Sequence, residues 1–179
     1  MTDVDHKDSP LKDPVVHLKI SAELPANFPS ADNLDNLLRV SIGKIIDDMD
    51  IWTDVDRIEI SVTITGDDDI RRINREFRRI DSPTDVLSFP MYDSGGIEGC
   101  KNMDAPVTVG DIVMSLETII RQADERGMSA IERFSECLVH GILHLAGFRH
   151  DEVEERKNME SLEDELIPQV KSILEKTSM

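Results

Sequence analysis

Apolar residues recur along this chain with two different periods, and the switches between them divide it into elements. Val15, Val16, Leu18 and Ile20 alternate well enough for a first strand over 15–21, and Pro25 and Pro29 break the chain behind it. Leu34, Leu37, Leu38, Val40, Ile42, Ile45 and Ile46 then return at helical intervals, which predicts a helix from Asn33 to about Met49 backing a sheet. Ile58, Ile60, Val62 and Ile64 share one face of a strand over 57–65, and Gly66 with Asp67, Asp68 and Asp69 closes it and caps the next helix. That helix, about 68–79, sets Ile70, Ile73, Phe77 and Ile80 on a core stripe. Val86 to Phe89 is a short apolar strand stopped by Pro90, and 91–106, with Gly95, Gly96 and Gly99, reads as a variable loop to which no chemistry is assigned. A last strand over 110–115 leads into a helix over 116–126 that Gly127 ends. Ser129 and Glu132 have capping-box spacing, so a further helix starts there, anchored by Ile131, Phe134, Leu138, Ile142 and Leu145. Beyond His150 a final helix carries Val153, Met159, Leu162, Leu166, Ile167, Val170 and Ile173 on its inner face and acidic residues outside.

The order β, α, β, α, β, β, α, α, α suggests an α/β (α+β) fold, a small mixed sheet of about four strands covered by helices. Strand order does not follow from the pattern. With 179 residues the chain suffices for one well-buried domain, expected over 13–179, behind a disordered acidic tail over 1–12. No apolar run approaches a membrane span, and Met1 to Asp5 lacks the basic start and apolar core of a signal peptide, so a soluble cytoplasmic protein is expected. Cys100 and Cys137 show no paired spacing and are expected as reduced thiols.

Charge is spread unevenly. The formal net charge of −17 argues against a protein that simply coats RNA, because phosphates are normally met by a basic surface. Yet Arg71, Arg72, Arg75, Arg78 and Arg79 fall within nine residues. Arg78 lies at the edge of the core stripe, where its stem can rest on apolar surface while its guanidinium reaches toward a cleft.

The strongest chemical signal is His140-Gly141-Ile142-Leu143-His144-Leu145-Ala146-Gly147-Phe148-Arg149-His150, which holds three of the five histidines. His140 and His144, four apart on a helix, can present two imidazoles to one ion. Gly147 stands where a left-handed residue would end the helix and turn the chain back, delivering His150 as a third ligand. Three neutral imidazoles leave a fourth position on Zn²⁺ for water, the arrangement of a catalytic site, with one ion per chain. The spacing is that of the long zinc signature of the metzincin peptidases, except that Gly141 occupies the place of their general-base Glu. Cys137 is read as a small buried hydrophobe before a thiolate ligand, and Met159 as a core residue before a support for the metal. Glu136, Asp85, Asp111 and Asp151 are the carboxylates that can stand near the site, and none is assigned as base.

HGILHLAGFRH resembles the HGxLHLxGyDH motif of the YbeY family, the single-strand endoribonucleases of ribosomal RNA maturation. This chain has Arg149 where the family usually has Asp, with Asp151 following the third histidine. Asn74-Arg75-Glu76-Phe77-Arg78 and Pro83-Thr84-Asp85-Val86-Leu87-Ser88-Phe89-Pro90 are similar to the family's second motif, and Gly110 to Ser115 to its GDIxIS segment. The resemblance implies a zinc-dependent endoribonuclease that matures the 3′ end of 16S ribosomal RNA and takes part in ribosome quality control. It further implies single-stranded ribosomal RNA as substrate and small-subunit proteins and an assembly GTPase as partners, with neither membrane nor DNA. Arg78 is the expected catalytic phosphate clamp, with Arg75 and Arg71 also binding substrate. A zinc peptidase-like hydrolase and a non-catalytic, metal-braced ribosome assembly factor are the competing readings.

Overall fold

The computed structural model describes residues 13–52, 55, 57–92, 97, 100 and 105–176. The expected tail over 1–12 lies outside the described residues, as do Gly95, Gly96 and Gly99 of the loop. The elements follow the expected order: β1 (Val15–Ile20), α1 (Ala31–Met49), β2 (Ile58–Thr65), α2 (Asp67–Arg78), β3 (Val86–Pro90), β4 (Val107–Ser115), α3 (Leu116–Arg126), α4 (Ala130–Leu145) and α5 (Val153–Glu175). The strands form one mixed sheet in the order β1-β2-β4-β3. β1 and β4 both run parallel to β2, whereas β3 returns antiparallel along β4 and forms an edge.

The two faces of the sheet are covered unequally. Ile58, Ile60, Val62, Ile64 and Ile112 join residues of α1, α3, α4 and α5 in the main core. A strand sends successive side chains to opposite faces. Val113, Leu87 and Phe89 therefore meet Ile70 and Ile73 of α2 on the other side, in a much smaller cluster. Only the first part of the expected α2 stripe is buried. Ile70 is fully buried, but Phe77 is 63% exposed and Ile80 51% exposed. The helical period is correct, but the sheet ends at β3, so the far end of α2 meets only an edge strand. Val153 and Val40, also expected to face inward, are exposed.

Gly110 explains how β4 can carry β3 on one side and α4 across its face. The register between β2 and β4 shifts so that Glu59 faces Thr108 while Ile60 faces Gly110, leaving an extra residue in β4. Gly110 has φ +150°, and a Cβ there would stand 2.4 Å from the Phe89 carbonyl oxygen and 2.8 Å from Leu145 Cδ2. We predict that Gly110→Ala destabilises the fold by at least about 1–3 kcal/mol from backbone strain alone. A chemical denaturation midpoint equal to that of the wild type would contradict this close packing.

Gly141 has a related but distinct duty. It lies in α4 where the helix crosses β4, and a Cβ would sit 3.0 Å from Ile112 Cδ1 and 3.2 Å from its Cγ2. The position after the first histidine thus faces the sheet, where even a Cβ requires the Ile112 side chain to give way. At the start of α4, Ser129 accepts a hydrogen bond from the Glu132 amide at 3.1 Å, as its spacing implies. The reciprocal half of the capping box gives way to a tertiary contact: the Glu132 carboxylate accepts from Lys171 Nζ of α5 at 2.7 Å.

Candidate metal centre and active site

Phe134, Leu138, Ile142 and Leu145 are almost completely buried, and they fix the rotation of α4 about its axis. That rotation leaves His140 and His144 half-buried on the same flank, one turn apart. The helix then ends in a Schellman turn. Gly147 takes φ +89°, its amide donates to the His144 carbonyl at 3.1 Å, and the Phe148 amide donates to the Leu143 carbonyl at 3.0 Å. The reversed chain brings in His150. One ligand-capable nitrogen from each of the three histidines lies within 4.8 Å of the others.

The hydrogen bonds behind the rings decide which nitrogens face inward. His144 Nδ1 lies 3.0 Å from the Phe148 carbonyl oxygen. A carbonyl only accepts, so Nδ1 carries the proton and Nε2 keeps a lone pair. His140 Nδ1 donates in the same way to Glu163 Oε1 at 2.7 Å, a carboxylate supplied by α5. The two Nε2 atoms then face each other at 3.0 Å, lone pair toward lone pair. Burial pushes the His144 pKa down to about 4, and the neighbouring His140 and His150 push the same way. His144 is therefore neutral near neutral pH, and a metal cation is what this donor set fits. His140, His144 and His150 form a cluster that can hold a metal ion.

The carboxylate behind His140 is a feature that the sequence motifs do not single out. Glu163 sits among Glu160, Asp164 and Glu165, so its composition marks nothing. Its spacing does: it stands four residues after Met159 and three before Leu166, both buried in the core. An acid on the inner stripe of an amphipathic helix needs a partner, and here the partner is an imidazole. Carboxylates in this position orient a ligating histidine and raise its basicity. We predict that Glu163→Ala weakens metal binding by about 10–100-fold. Competition titration with a chelating dye measures it, and unchanged affinity would leave Glu163 without this role.

Beside the histidines opens a cavity of about 260 Å³, lined by Arg78, Ser88, Pro90, Tyr92, His144, Gly147, Phe148, Arg149, His150 and Asp151. Arg78 is the last residue of α2, and the turn after it is tied down from within. Arg79 adopts a left-handed conformation, Asn74 Nδ2 donates to the Ser82 carbonyl at 2.9 Å, and the Asn74 carbonyl accepts from the Ile80 amide at 3.4 Å. Asn74 is buried, which accounts for an Asn one turn before the arginine. The other expected arginines stand elsewhere. Arg71 makes two hydrogen bonds to Asp81, at 2.9 and 3.1 Å, and Arg75 lies 3.8 Å from the same carboxylate. Neither lines the cavity, whereas Arg78 does and has no ion pair with any described residue.

The four candidate carboxylates separate cleanly. Asp85 is paired with Arg133 and accepts from the Val86 amide at 2.8 Å; burial opposes its ionisation, but these partners hold its pKa below the usual carboxylate range. Glu136 accepts from the same guanidinium at 2.6 Å. Both border a second cavity of about 570 Å³ that also touches His140 and Glu163. Asp111 precedes Ile112 in β4, and Ile112 faces α4, so alternation sends Asp111 to the opposite face of the sheet. Asp151 alone of the four lines the cavity that holds His144, His150 and Arg78. Cys137 is deeply buried, its thiol pushed up to about 12 chiefly by that burial, so it stays protonated. Met159 is packed in the main core.

Comparison with known proteins gives the chain a family. The family profile described as "Endoribonuclease YbeY" matches residues 27–171. A Bradyrhizobium sp. protein named "Endoribonuclease YbeY" is 35% identical over 154 residues, which cover 86% of this chain and 87% of the relative. One of the same name from Persephonella marina is 37% identical over 142 residues, covering 79% of this chain and 86% of the relative. Another, from Rhizorhabdus wittichii, is 42% identical over 106 residues, 59% of this chain, and the match spans 63% of that relative's length. Among solved structures, the solution structure of a Thermotoga maritima protein shares the fold with a TM-score of 0.58 and 23% identity, covering 87% of this chain and 89% of that one. With most of its length matched by the family profile and by relatives of one name, the chain belongs to the endoribonuclease YbeY family.

Proposed function

We propose that this chain is a Zn²⁺-dependent endoribonuclease that cuts single-stranded RNA, with residues 13–179 acting as one catalytic domain. The observation that carries the reading is the cluster of three imidazoles, two of which, His144 and His150, line a cavity that Arg78 also lines. Family membership supports RNA as the substrate. The resemblance of the motifs extends the proposal to the 3′ end of 16S ribosomal RNA and to ribosome quality control in the cytoplasm, with small-subunit proteins and an assembly GTPase as partners. No described helix is long and apolar enough to cross a membrane.

In this reading His140, His144 and His150 hold one Zn²⁺, and Glu163 with the Phe148 carbonyl keeps the two helix imidazoles in the ligating tautomer. The ion, when bound, supplies Lewis acidity toward a phosphoryl oxygen and a water of lowered pKa. Arg78 offers the scissile phosphate two parallel N–H donors, a geometry that strengthens as charge grows on the phosphate oxygens. Asp151, which lines the cavity, would take a proton from water there. Arg71 and Arg75, on the same helix face and held by Asp81, add positive potential along the approach. Gly141 opposes the peptidase reading, since it carries no base and its position packs tightly on the Ile112 side chain.

The test is cleavage of one sequence presented as single strand and as duplex by zinc-loaded protein. Cutting confined to the single strand is expected, while equal cutting of both, or hydrolysis of casein in place of RNA, would contradict the proposal. A quantitative companion concerns salt. An acidic chain with one arginine cluster engages few phosphates, so log affinity should fall with log salt by only about 0.7 per phosphate contacted on single strands. A slope indicating about eight or more contacts would require a basic surface that the chain's charge pattern does not provide.

A further inference from the structure

Phe77 is an aromatic ring left in solvent beside the proposed catalytic arginine. It is 63% exposed, and its ring meets that of Phe89 edge-on, with centroids 5.2 Å apart and planes at 65°. A single exposed apolar side chain is ordinary. This one differs in its support and its neighbours. Phe89 holds it from below and is itself packed with Ile70, Leu87 and Val113, so the ring stands on a firm base.

Location adds the second part of the argument. Ser88 and Pro90, on either side of Phe89 in β3, line the histidine cavity, whereas Phe89 faces α2. β3 is an edge strand, so the aromatic pair and the cavity lie on opposite sides of one exposed rim. Arg78, next to Phe77 in the chain, belongs to the lining of that cavity. Neither Arg78 nor Arg79 has a carboxylate partner among the described residues, in contrast to Arg71, Arg72 and Arg75. An exposed aromatic flanked by such guanidinium groups is complementary to a chain that alternates phosphates with flat bases. Single-stranded nucleic acids are held in this way, by cations on the backbone and aromatic rings under unstacked bases.

We propose that Phe77, braced by Phe89, is the stacking platform for an unpaired base of the substrate, on a nucleotide close to the phosphate that Arg78 holds. The inference rests on the RNA-cleaving reading and deepens it: a base inside a duplex has no free face to offer, so the platform selects single strands. Phe77 contacts the substrate and takes no part in bond breaking.

The experiment compares zinc-loaded wild-type protein with Phe77→Ala and Phe77→Tyr. Binding is measured by fluorescence anisotropy to a short single-stranded 2′-O-methyl RNA and to the same backbone with every base replaced by an abasic unit. Stacking predicts a dissociation constant about 5–150-fold higher for Phe77→Ala on the base-bearing strand. Phe77→Tyr should bind like wild type, and all three proteins should bind the abasic strand equally weakly. The abasic comparison on wild type alone needs no substitution, so it stands even if a variant folds poorly. Equal binding of Phe77→Ala and wild type to the base-bearing strand overturns the platform, as does an equal loss on both strands. A changed sedimentation mass for Phe77→Ala, marking the ring as a contact between copies, also overturns it. If wild-type protein binds the strand with the expected base dependence but never cuts RNA, the proposed activity fails and the platform survives. If it cuts RNA without base-dependent binding, the activity stands and the platform fails.

Discussion

Replacing His144 with alanine removes bound metal and RNA cleavage together, while most of the fold persists. His144 stands between the other two histidines, its ring centroid 4.4 Å from that of His140 and 5.1 Å from that of His150. Its loss leaves two imidazoles and two solvent-exposed positions, too few to hold Zn²⁺ in a catalytic geometry. The helix survives because its hold on the sheet lies elsewhere. Phe134, Leu138 and Ile142 are fully buried, and truncating any of them to alanine costs about 2–5 kcal/mol, which a half-buried histidine does not approach. Melting must be compared without metal, since a ligand that binds only the folded state raises stability through its own concentration. Removing a group whose pKa burial has lowered should even steady the metal-free protein in acid. The wild type loses stability as pH falls from 6.5 toward about 4, where unfolded His144 would protonate first. Stoichiometric metal and full activity in His144→Ala would contradict the three-histidine centre.

Arg78→Ala is expected to slow the chemical step by about 10²–10³-fold, or about 2.7–4 kcal/mol, the effect of losing one donor to developing negative charge. Arg78→Lys should recover little, because an ammonium cannot place two parallel N–H groups on a phosphate. Arg72→Ala provides the contrast: its guanidinium is exposed and already paired with Asp69. Zinc content and melting temperature should hardly change in any of the three, since Arg78 is proposed to meet the substrate and not the ion. Single-turnover cleavage separates this step from binding and product release. If Arg78→Ala cleaves at the wild-type rate, or slows only because zinc has been lost, the phosphate clamp lies elsewhere.

Much of the scaffold is legible in the sequence because single residues with one physical meaning mark it. The strand over 57–65 announces itself through Ile58, Ile60, Val62 and Ile64, all buried on one face. Gly147 marks the end of α4 because only a residue free to take positive φ can close that turn, and the turn supplies both His150 and the carbonyl that orients His144. Other features depend on what the chain meets after folding, which local pattern does not record. Phe77 and Ile80 carry the helical period of a buried stripe yet remain exposed, because the sheet beneath them stops at β3. Glu132 has the spacing of a cap and instead reaches across to Lys171. Asp85, Asp111, Glu136 and Asp151 are equivalent in sequence. Folding pairs Asp85 and Glu136 with Arg133, sends Asp111 to the far face and leaves Asp151 at the cavity. In sequence Gly141 shows only that the peptidase base is missing, whereas its contact with Ile112 gives the reason.

The most direct test of the three-histidine account is the metal content of a single purified preparation, followed with its single-stranded RNA cleavage through chelation and reconstitution. One zinc per chain is expected in the active protein, with cleavage lost in proportion to zinc removed and restored in proportion to zinc returned. Full cleavage by protein from which all metal has been stripped would contradict it.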